Sequence, residues 1–461
     1  MKKTVGKNSI DFGQDKIMHI LLRLAPPVMA AQLIQALYNI IDSFFIGRYS
    51  EAGLTALSII YPLQLLMLAL AVGTGVGINT LIPHFMGLGD EKEAKEVAGT
   101  AALIGLGNWI VFATICFFIM PGFARMSTSS TEVIRQVTVY GRIVCVFSFG
   151  LFLESMWTKV LQAEGDMVTP TVAQILGAIT NIVLDPILIF GMFGLPEMGI
   201  TGAAIATVCG QIIAALVVMK KGYRKSPKLS VYPRYVRRIY ACGFPNILMQ
   251  SAYTFYIFGF YLILKQFSDQ AVTVLGLYYK WQSIFFIPLG AMQTCIVPVL
   301  SYNYASARFD RCKKTLLDAV LLGMALMAVG TLCFETIPEQ LLSFFSKDPL
   351  VIEIGIVAFR WIGLSFLPLV TSLIYPVYFQ AIGAWGKSSM LTIVRTVFLF
   401  VPLGWLLAHF GLHTFWMTYP LTEVITTTTG YLLYKKQCRL VMEKVKCTHD
   451  LPYTPKKVPL R

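Results

Sequence analysis

The sequence predicts an all-α polytopic membrane protein with twelve transmembrane helices in two six-helix lobes. Three observations support this fold class. The 461-residue chain is 56% hydrophobic but only 13% charged, whereas soluble domains are about 25% charged. Apolar runs long enough to cross a bilayer core, about 20 residues each, recur from end to end. Finally, the two halves of the chain repeat one plan at a fixed spacing.

Twelve apolar runs define the predicted spans in chain order. Each run is bounded by polar residues, glycine or proline, and each is long enough to cross the hydrocarbon core as a helix. Span 1 contains Pro26 and Pro27 in its first turns, where proline is tolerated, and Pro186 favours a kink in span 5. The spans lie at approximately residues 17–46, 54–82, 96–120, 133–158, 167–192, 199–219, 236–264, 274–300, 313–337, 350–378, 388–408 and 413–434.

Basic residues are distributed unevenly between the two sides of the membrane. They crowd the N-terminus, the segment 220–238 and the C-terminal tail, whereas the segments on the other side hold only Arg48, Arg125, Arg135, Lys265 and Lys347. By the positive-inside rule, both termini lie in the cytoplasm. Topology and contact with the lipid bilayer explain the formal charge of +14, so we expect no nucleic-acid partner.

The segment 220–238 divides the chain into two halves of six spans each. It is basic, contains Pro227 and Pro233, and is the longest polar stretch between spans. We predict an N-lobe at residues 1–222 and a C-lobe at residues 223–461, with a basic cytoplasmic linker before the C-lobe spans and a basic cytoplasmic tail after them. Because six is even, both halves keep one orientation, and a pseudo-two-fold axis along the membrane normal relates them.

The two halves align with each other at an offset of about 218 residues. Two sets of residues recur at this spacing: a Pro, a Gln and a Tyr in spans 1 and 7, and an Arg followed by Q-A-x-G in spans 4 and 10. The first set is Pro27, Gln32 and Tyr38 against Pro245, Gln250 and Tyr256, and the second is Arg142, Gln162, Ala163 and Gly165 against Arg360, Gln380, Ala381 and Gly383. A recurrence this regular favours duplication over coincidence.

The repeat fails at a group of polar positions in the first half. The aligned pairs there are Asn39 with Ile257, Asp42 with Phe260, Asn181 with Leu399 and Asp185 with Leu403. The first half therefore has a polar cluster where the second half is apolar. If cation movement drives transport, this difference predicts that the coupling chemistry lies in the N-lobe.

Asp42 and Asp185 are carboxylates inside predicted spans, where burying a charge costs about 3 kcal/mol or more. Tyr38 and Asp42 are four residues apart and share a helical face, as do Asn181 and Asp185. Burial and a neighbouring carboxylate both favour the protonated form of an acid. The cluster can therefore take up a proton, bind sodium through oxygen atoms or hold an organic cation. The alternative is a structural hydrogen-bond cluster that fixes helix packing.

Four further polar residues are candidates to line a cavity: Asn39, Glu154, Gln162 and Glu423. Asn39 lies beside the first pair. Glu154 either faces the same cavity or pairs with Lys159. Glu423 either contacts a cationic substrate or pairs with Arg395 of the neighbouring span.

The sequence contains no motif that indicates catalysis or a bound cofactor. There is no Walker motif, no Ser/His/Asp or Cys/His pattern and no metal-ligand spacing of cysteines. A G-T-G-V-G run at 73–77 resembles a nucleotide fingerprint, but it lies inside an apolar span, where close helix packing is the better interpretation. We expect no enzymatic activity, no cofactor and no metal other than sodium at Asp42 and Asp185. We also expect a monomer.

Four stretches of the chain resemble the multidrug and toxic compound extrusion (MATE) family. They are APPVMAAQLIQALYNIIDSFFIGR, MGLGDEKEA, KVLQAEGDMVTP and NIVLDPILIFGMFGLPEMGITGAAIAT, and the resemblance covers nearly the whole chain. It is nearest to the bacterial and archaeal branches that keep an acid in span 1 and Asn-x-x-x-Asp in span 5. Tyr38, Asp42, Asn181 and Asp185 match the N-lobe cation site of that family.

The resemblance implies a secondary antiporter in the inner (plasma) membrane of a prokaryotic cell. Such proteins export cationic, amphipathic drugs in exchange for protons or sodium by alternating access. Some relatives carry further essential acids in the second lobe, but here no Asp or Glu lies between Tyr232 and Ser268 or in spans 8 and 11. A second-lobe sodium site is therefore not expected, and Glu423 is the remaining mid-span acid there.

Three other functions stay open at this stage. A flippase of the same superfamily, which moves a lipid-linked oligosaccharide or precursor, often has additional helices or a basic central cavity. An intramembrane prenyltransferase needs a D-D-x-x-D-type cluster, which is absent from the sequence. A channel or receptor is disfavoured by the duplicated lobes and the central acids.

Overall fold

The structure is a computed structural model that describes residues 10–449, and within that range it is helical, with no strand. The first half comprises α1 (Ile17–Tyr49), α2 (Glu51–Gly87), α3 (Glu91–Ser127), α4 (Thr131–Val146), α5 (Phe149–Ala163), α6 (Val168–Phe190) and α7 (Ile200–Gly222). The second half comprises α8 (Tyr232–Leu264), α9 (Asp269–Phe285), α10 (Ile287–Ala305), α11 (Phe309–Thr336), α12 (Pro338–Ser343), α13 (Pro349–Ala381), α14 (Trp385–Ile393), α15 (Val401–Ala408), α16 (Leu412–Phe415) and α17 (Thr418–His449). A π-helix, Val394–Phe400, joins α14 to α15.

The predicted class, an all-α polytopic membrane protein, is confirmed. Within residues 10–449, nine helices are long and apolar enough to cross a membrane, or up to eleven if each of two bent pairs counts as one span. The bent pairs are α4 with α5, at 40°, and α9 with α10, at 49°. They coincide with the predicted spans 133–158 and 274–300, so the sequence pattern located both spans but not their breaks.

The last predicted span, 413–434, corresponds to α16 and most of α17, which is more polar than the other helices. Its threonine hydroxyls are satisfied by backbone carbonyls of the same helix: Thr426 donates to Thr422, Thr428 to Val424 and Thr429 to Ile425, each at 2.8 Å. Such internal bonding allows hydroxyl side chains to lie in a membrane helix. The predicted cytoplasmic termini include residues 1–9 and 450–461, which lie outside the described residues.

Short polar side chains begin several of the helices by accepting a backbone N–H of the first turn, as N-caps do. The pairs are Ser50 with Gly53, Asp90 with Glu93, Ser130 with Val133, Ser268 with Ala271 and Asp348 with Leu350. These residues lie in the polar segments between apolar runs, so local capping and hydropathy define the same helix starts.

The chain forms two compact units. In the described range, the first unit contains Pro26–Gln250, and the second contains Asp11–Ala25 and the residues from Ser251 onward. The division falls inside α1 and α8, so each of these helices contributes to both units. The predicted lobe boundary between residues 222 and 223 concerns the duplicated plan and stays a prediction.

The two Q-A-x-G runs end their helices with the same turn. After α5, Gly165 has a φ of 86°, and the Asp166 N–H donates to the Leu161 carbonyl at 2.9 Å. After α13, Gly383 has a φ of 79°, and the Ala384 N–H donates to the Phe379 carbonyl at 2.8 Å. Glycine is favoured at both positions because its φ is positive.

The G-T-G-V-G run is a helix-packing element in the first unit. A Cβ atom at Gly77 would overlap the carbonyl oxygen of Ile239, and one at Gly73 would overlap Ile247. The early part of α8 therefore lies directly against α2. Gly75, on another face of α2, contacts the aliphatic stem of Lys159. Close packing, as predicted, is the role of this run.

Polar contacts hold the basic linker to the first unit. Arg224 pairs with Glu164 at 2.6 Å, and Arg234 pairs with Glu93 at 2.9 Å. Tyr235 donates to Glu96 at 2.7 Å. Glu93 and Glu164 lie in two of the stretches that resemble the MATE family, MGLGDEKEA and KVLQAEGDMVTP.

Candidate functional site

Asp42 of α1 and Asp185 of α6 lie together inside the first unit. Asp185 is fully buried, and Asp42 is 7% exposed. The two carboxyl groups are within hydrogen-bonding reach of each other. Two acids this close and this buried require a proton or a cation to offset their negative charge.

The amide of Asn181 links Asp185 to α7. Its Nδ2 group donates to Asp185 Oδ1 at 3.3 Å and approaches Thr207 Oγ1 at 3.5 Å. Asn181 is one turn before Asp185 on the same face of α6, as the four-residue spacing predicts. The polar group therefore comprises a carboxyl from α1, a carboxyl and an amide from α6, and a hydroxyl from α7.

A pair of glycines brings α6 and α7 close enough for these contacts. A Cβ atom at Gly210 would lie 2.6 Å from the Gly177 carbonyl oxygen, and one at Gly177 would lie 2.7 Å from the Gly210 carbonyl oxygen. Only the absence of both side chains permits this approach. The same crossing places the Gly210 backbone against the Cβ atom of Asn181.

Three buried oxygen atoms in this group have no hydrogen-bond partner among the described residues: Asp42 Oδ1, Asp185 Oδ2 and Asn181 Oδ1. Buried acceptors of this kind are normally satisfied. A carboxylate oxygen can take up a proton, and carboxylate and amide oxygens can both coordinate a hard cation such as sodium. The donor set therefore fits either of the two predicted coupling ions.

Tyr38 and Glu154 lie near the two acids. The Tyr38 phenol is close enough to interact electrostatically with Asp42, Asp185 and Glu154. Glu154, on α5, accepts a hydrogen bond from Thr158 at 2.8 Å. The structure thus brings the predicted residues of the N-lobe cluster and one of the candidate cavity residues into one neighbourhood.

The other candidate cavity residues have separate surroundings. Asn39 is exposed, and its backbone carbonyl accepts from Ser43. Gln162 is buried near the end of α5 and accepts from Lys159 Nζ at 2.8 Å. Glu423 lies in the second unit and forms an ion pair with Arg395 at 2.6 Å, which was one of its two predicted environments.

Sequence reasoning missed Thr207, Tyr140 and Gln64. Tyr140 of α4 is buried, interacts with Thr207 and Asp42, and accepts from Gln64 of α2 at 3.5 Å. Thr207 lies at the end of GITGAAIAT, part of a stretch that resembles the MATE family. That resemblance was the feature of the sequence that could have indicated Thr207. A tyrosine in a span is more often part of an interfacial belt, so Tyr140 carried no signal of its own.

The family model described as MatE matches this chain twice, at residues 27–187 and at residues 245–406. The chain belongs to the MatE family of membrane transporters. The two matches start 218 residues apart, which agrees with the offset of the predicted repeat. The first match contains Asp42, Asn181 and Asp185.

Curated relatives resemble the chain along most of its length. A protein of Shewanella oneidensis named FAD transporter is 24% identical over 94% of this chain and 96% of its own. The multidrug export protein MepA of Staphylococcus saprophyticus is 22% identical over 94% and 97%. The probable multidrug resistance protein NorM of Thermotoga maritima is 22% identical over 75% of each chain.

Solved structures show the same fold. A transporter of the MOP superfamily from Pyrococcus furiosus superposes with a TM-score of 0.87 at 21% identity, covering 94% of this chain and 99% of that one. An outward-facing multidrug resistance transporter of the MATE family superposes with a TM-score of 0.87 at 20% identity, covering 95% and 99%. At this identity the likeness establishes the fold.

Proposed function

We propose that the chain is a secondary active efflux transporter that exchanges cationic, amphipathic organic compounds for protons or sodium by alternating access. Its membership of the MatE family supports transport, and the names of the MepA and NorM relatives support multidrug cargo. The observation that carries ion coupling is the buried pair of Asp42 and Asp185, which lie within hydrogen-bonding reach of each other.

The coupling ion and the cationic cargo compete for this negative charge. A proton or sodium ion bound between the two carboxyl groups removes one of their two negative charges, so a cationic compound is attracted to them less strongly. Release of the ion restores the attraction. At a membrane potential of 100 mV, each net charge moved supplies about 2.3 kcal/mol, equivalent to a roughly fifty-fold gradient.

Ethidium efflux from loaded cells tests this role. We expect Asp185→Asn to abolish energy-dependent efflux, because the amide keeps the volume of the side chain but cannot hold the coupling ion. The matched control is Asp269→Asn, which makes the same change at an exposed helix start in the second unit. Undiminished efflux by Asp185→Asn, at equal expression, would refute the assignment.

FAD is a second candidate cargo, because a relative that covers 94% of this chain is named FAD transporter. The dinucleotide is anionic and aromatic, so its export would not depend on attraction to Asp42 and Asp185. Riboflavin-based fluorescence of the medium around expressing cells measures this export directly. A lipid-linked oligosaccharide or precursor remains the alternative cargo, and a lipid-scrambling assay detects its movement.

We further propose that the protein lies in the inner membrane of a prokaryotic cell as a monomer, with both termini in the cytoplasm. The asymmetry of basic residues supports this orientation. Lys220 and Lys221 lie in the last turn of α7, and Arg224 follows the helix. The linker therefore concentrates positive charge on the side assigned to the cytoplasm.

A further inference from the structure

The second unit contains a buried ion pair that the ion-coupling mechanism does not use. Arg395, in the π-helix, donates from Nη2 to Glu423 Oε1 at 2.6 Å and from Nε to both carboxylate oxygens at 3.1 Å. Glu423 is fully buried and Arg395 is 8% exposed. Ser372 of α13 donates a further hydrogen bond to Glu423 Oε2.

Stability alone is a weak reason for such a pair. Removing two charges from water costs several kcal/mol per ion, and well-packed apolar residues often replace a buried pair without loss of stability. The pair is therefore better understood from the environment that it occupies.

One aromatic ring lies over the guanidinium group, and two more rings pack against that ring. The central carbon of the guanidinium group lies 4.9 Å from the centre of the Phe400 ring. Phe400 in turn stacks on Tyr256 at 4.7 Å and meets Tyr419 edge-on at 5.6 Å. Sites for organic cations are built from groups of these kinds: a carboxylate, a hydroxyl and an aromatic face.

The backbone at Arg395 departs from α-helical geometry. Val394–Phe400 is a π-helix of seven residues, and Pro402 follows it and lacks the N–H that an α-helix would use there. Wide turns of this kind are rare inside α-helices and occur frequently at functional sites.

The internal repeat shows which residue of the second unit corresponds to Asp42. The residue aligned with Asp42 is Phe260, which is fully buried and lies 5.6 Å from Phe400 and 5.0 Å from Phe415. Rings thus fill the place that holds the coupling acid in the first unit. Glu423 is a buried acid of the second unit, as is Asp318 of α11, and the charge of Glu423 is offset by Arg395.

We propose that Glu423, Ser372 and the rings of Tyr256, Phe400 and Tyr419 form a second cation site, which Arg395 occupies as a tethered ligand. The site suits cations with N–H donors, of the guanidinium or primary ammonium class. A tethered group acts at an effective concentration on the order of millimolar or higher, so Arg395 keeps free cations out. If the proposed antiport is correct, ion exchange is consequently confined to the first unit.

Truncation of the Arg395 side chain should leave a site at Glu423 that binds added cations. The full-length protein, Arg395→Ala and Arg395→Ala/Glu423→Gln are purified in detergent and unfolded thermally in increasing methylguanidinium at constant ionic strength. We expect the thermal unfolding midpoint of Arg395→Ala to rise saturably at millimolar methylguanidinium. The midpoints of the unsubstituted protein and of the double variant should not rise. Tetramethylammonium, which has no N–H donor, should raise the midpoint less.

Two results would overturn the proposal: no saturable rise in Arg395→Ala, or an equal rise in the double variant. If Arg395→Ala is not recovered as folded protein, Arg395→Gln is titrated in the same way. If these variants are recovered as folded protein only when methylguanidinium is present during extraction, the result supports the site. If they are not recovered either with or without methylguanidinium, the result refutes the site. None of these readings uses transport, so a failure of the antiport proposal would be detected separately in the efflux of Asp185→Asn.

Discussion

At the residue scale, the first unit concentrates its buried negative charge in one place. Asp42 and Asp185 come from helices far apart in sequence, and Asn181 and Thr207 extend the group to α7. Three of the buried oxygens have no hydrogen-bond partner among the described residues. These unpartnered oxygens are the observation from which we propose that the group holds a cation.

In the proposed mechanism the two acids hold one cation together, so the effects of their substitutions should not add. We expect Asp42→Asn and Asp185→Asn each to abolish gradient-driven efflux, and the double variant to behave like either single variant. The measurement is ethidium efflux at matched expression. Residual coupling in one single variant that disappears only in the double variant would contradict a shared site.

Thr207 supplies a weaker contact and should have a smaller effect. Replacing its hydroxyl with a methyl group in Thr207→Val removes one polar partner, worth about 1 kcal/mol. We expect a roughly five- to tenfold rise in the ion concentration that gives half-maximal exchange, with the maximal rate largely kept. Thr207→Ser, which retains the hydroxyl, is the control and should behave like the unsubstituted protein.

The acids were predictable from the sequence, but their partners on other helices were not. An acid in an apolar run is conspicuous because burial is costly, and the four-residue spacing identified Tyr38 and Asn181. Tyr140 and Thr207 belong to other helices and depend on how those helices cross. A single sequence contains no information on that crossing beyond the small residues that permit it.

At the element scale, the crossing of α6 and α7 depends on Gly177 and Gly210. A Cβ atom at Gly210 would lie 2.6 Å from a backbone oxygen, and neither helix can relieve that contact by moving a side chain. We expect Gly210→Ala to lower the thermal midpoint and to weaken ion-coupled efflux, because Asn181 and Thr207 move apart.

Gly107→Ala is the matched control for the helix crossing. This glycine also lies inside a membrane helix, but a Cβ atom there meets nothing within 4 Å. We expect it to leave both the midpoint and efflux unchanged. Equal behaviour of the two variants would show that the α6–α7 approach is not needed for coupling.

Hydropathy predicted the positions of the helices but not their distortions. The runs at 133–158 and 274–300 each predicted one span, and the structure divides both into bent pairs. The π-helix at Val394–Phe400 likewise lies inside one predicted span. Hydropathy reports the apolar length of a span and carries no information on a bend or a wide turn within it.

At the scale of the whole molecule, the family model matches the chain twice, at residues 27–187 and 245–406, which supports the predicted duplication. The repeated Q-A-x-G turns keep the same backbone geometry after α5 and α13, so the plan persisted where structure required it. The buried charges differ at matching positions: Asp42 and Asp185 lie in the first unit where Phe260 and Leu403 lie in the second. The second unit contains instead the internally neutralised pair of Arg395 and Glu423.

Orientation is a separate prediction about the whole molecule. Because basic residues are concentrated in the linker and tail, a green fluorescent protein fused to the C-terminus should fold in the cytoplasm and fluoresce. Alkaline phosphatase fused at the same point should be inactive. Active phosphatase with a dark fluorescent fusion would reverse the assigned topology.

The most direct test of ion-coupled export is ethidium movement in proteoliposomes with a proton gradient or a sodium gradient imposed separately. We expect uphill movement driven by one of the two gradients and lost in Asp185→Asn, which would establish antiport and identify the ion. No gradient-driven movement by folded protein would contradict the coupling role of Asp42 and Asp185 and would favour a lipid-linked or unrelated cargo.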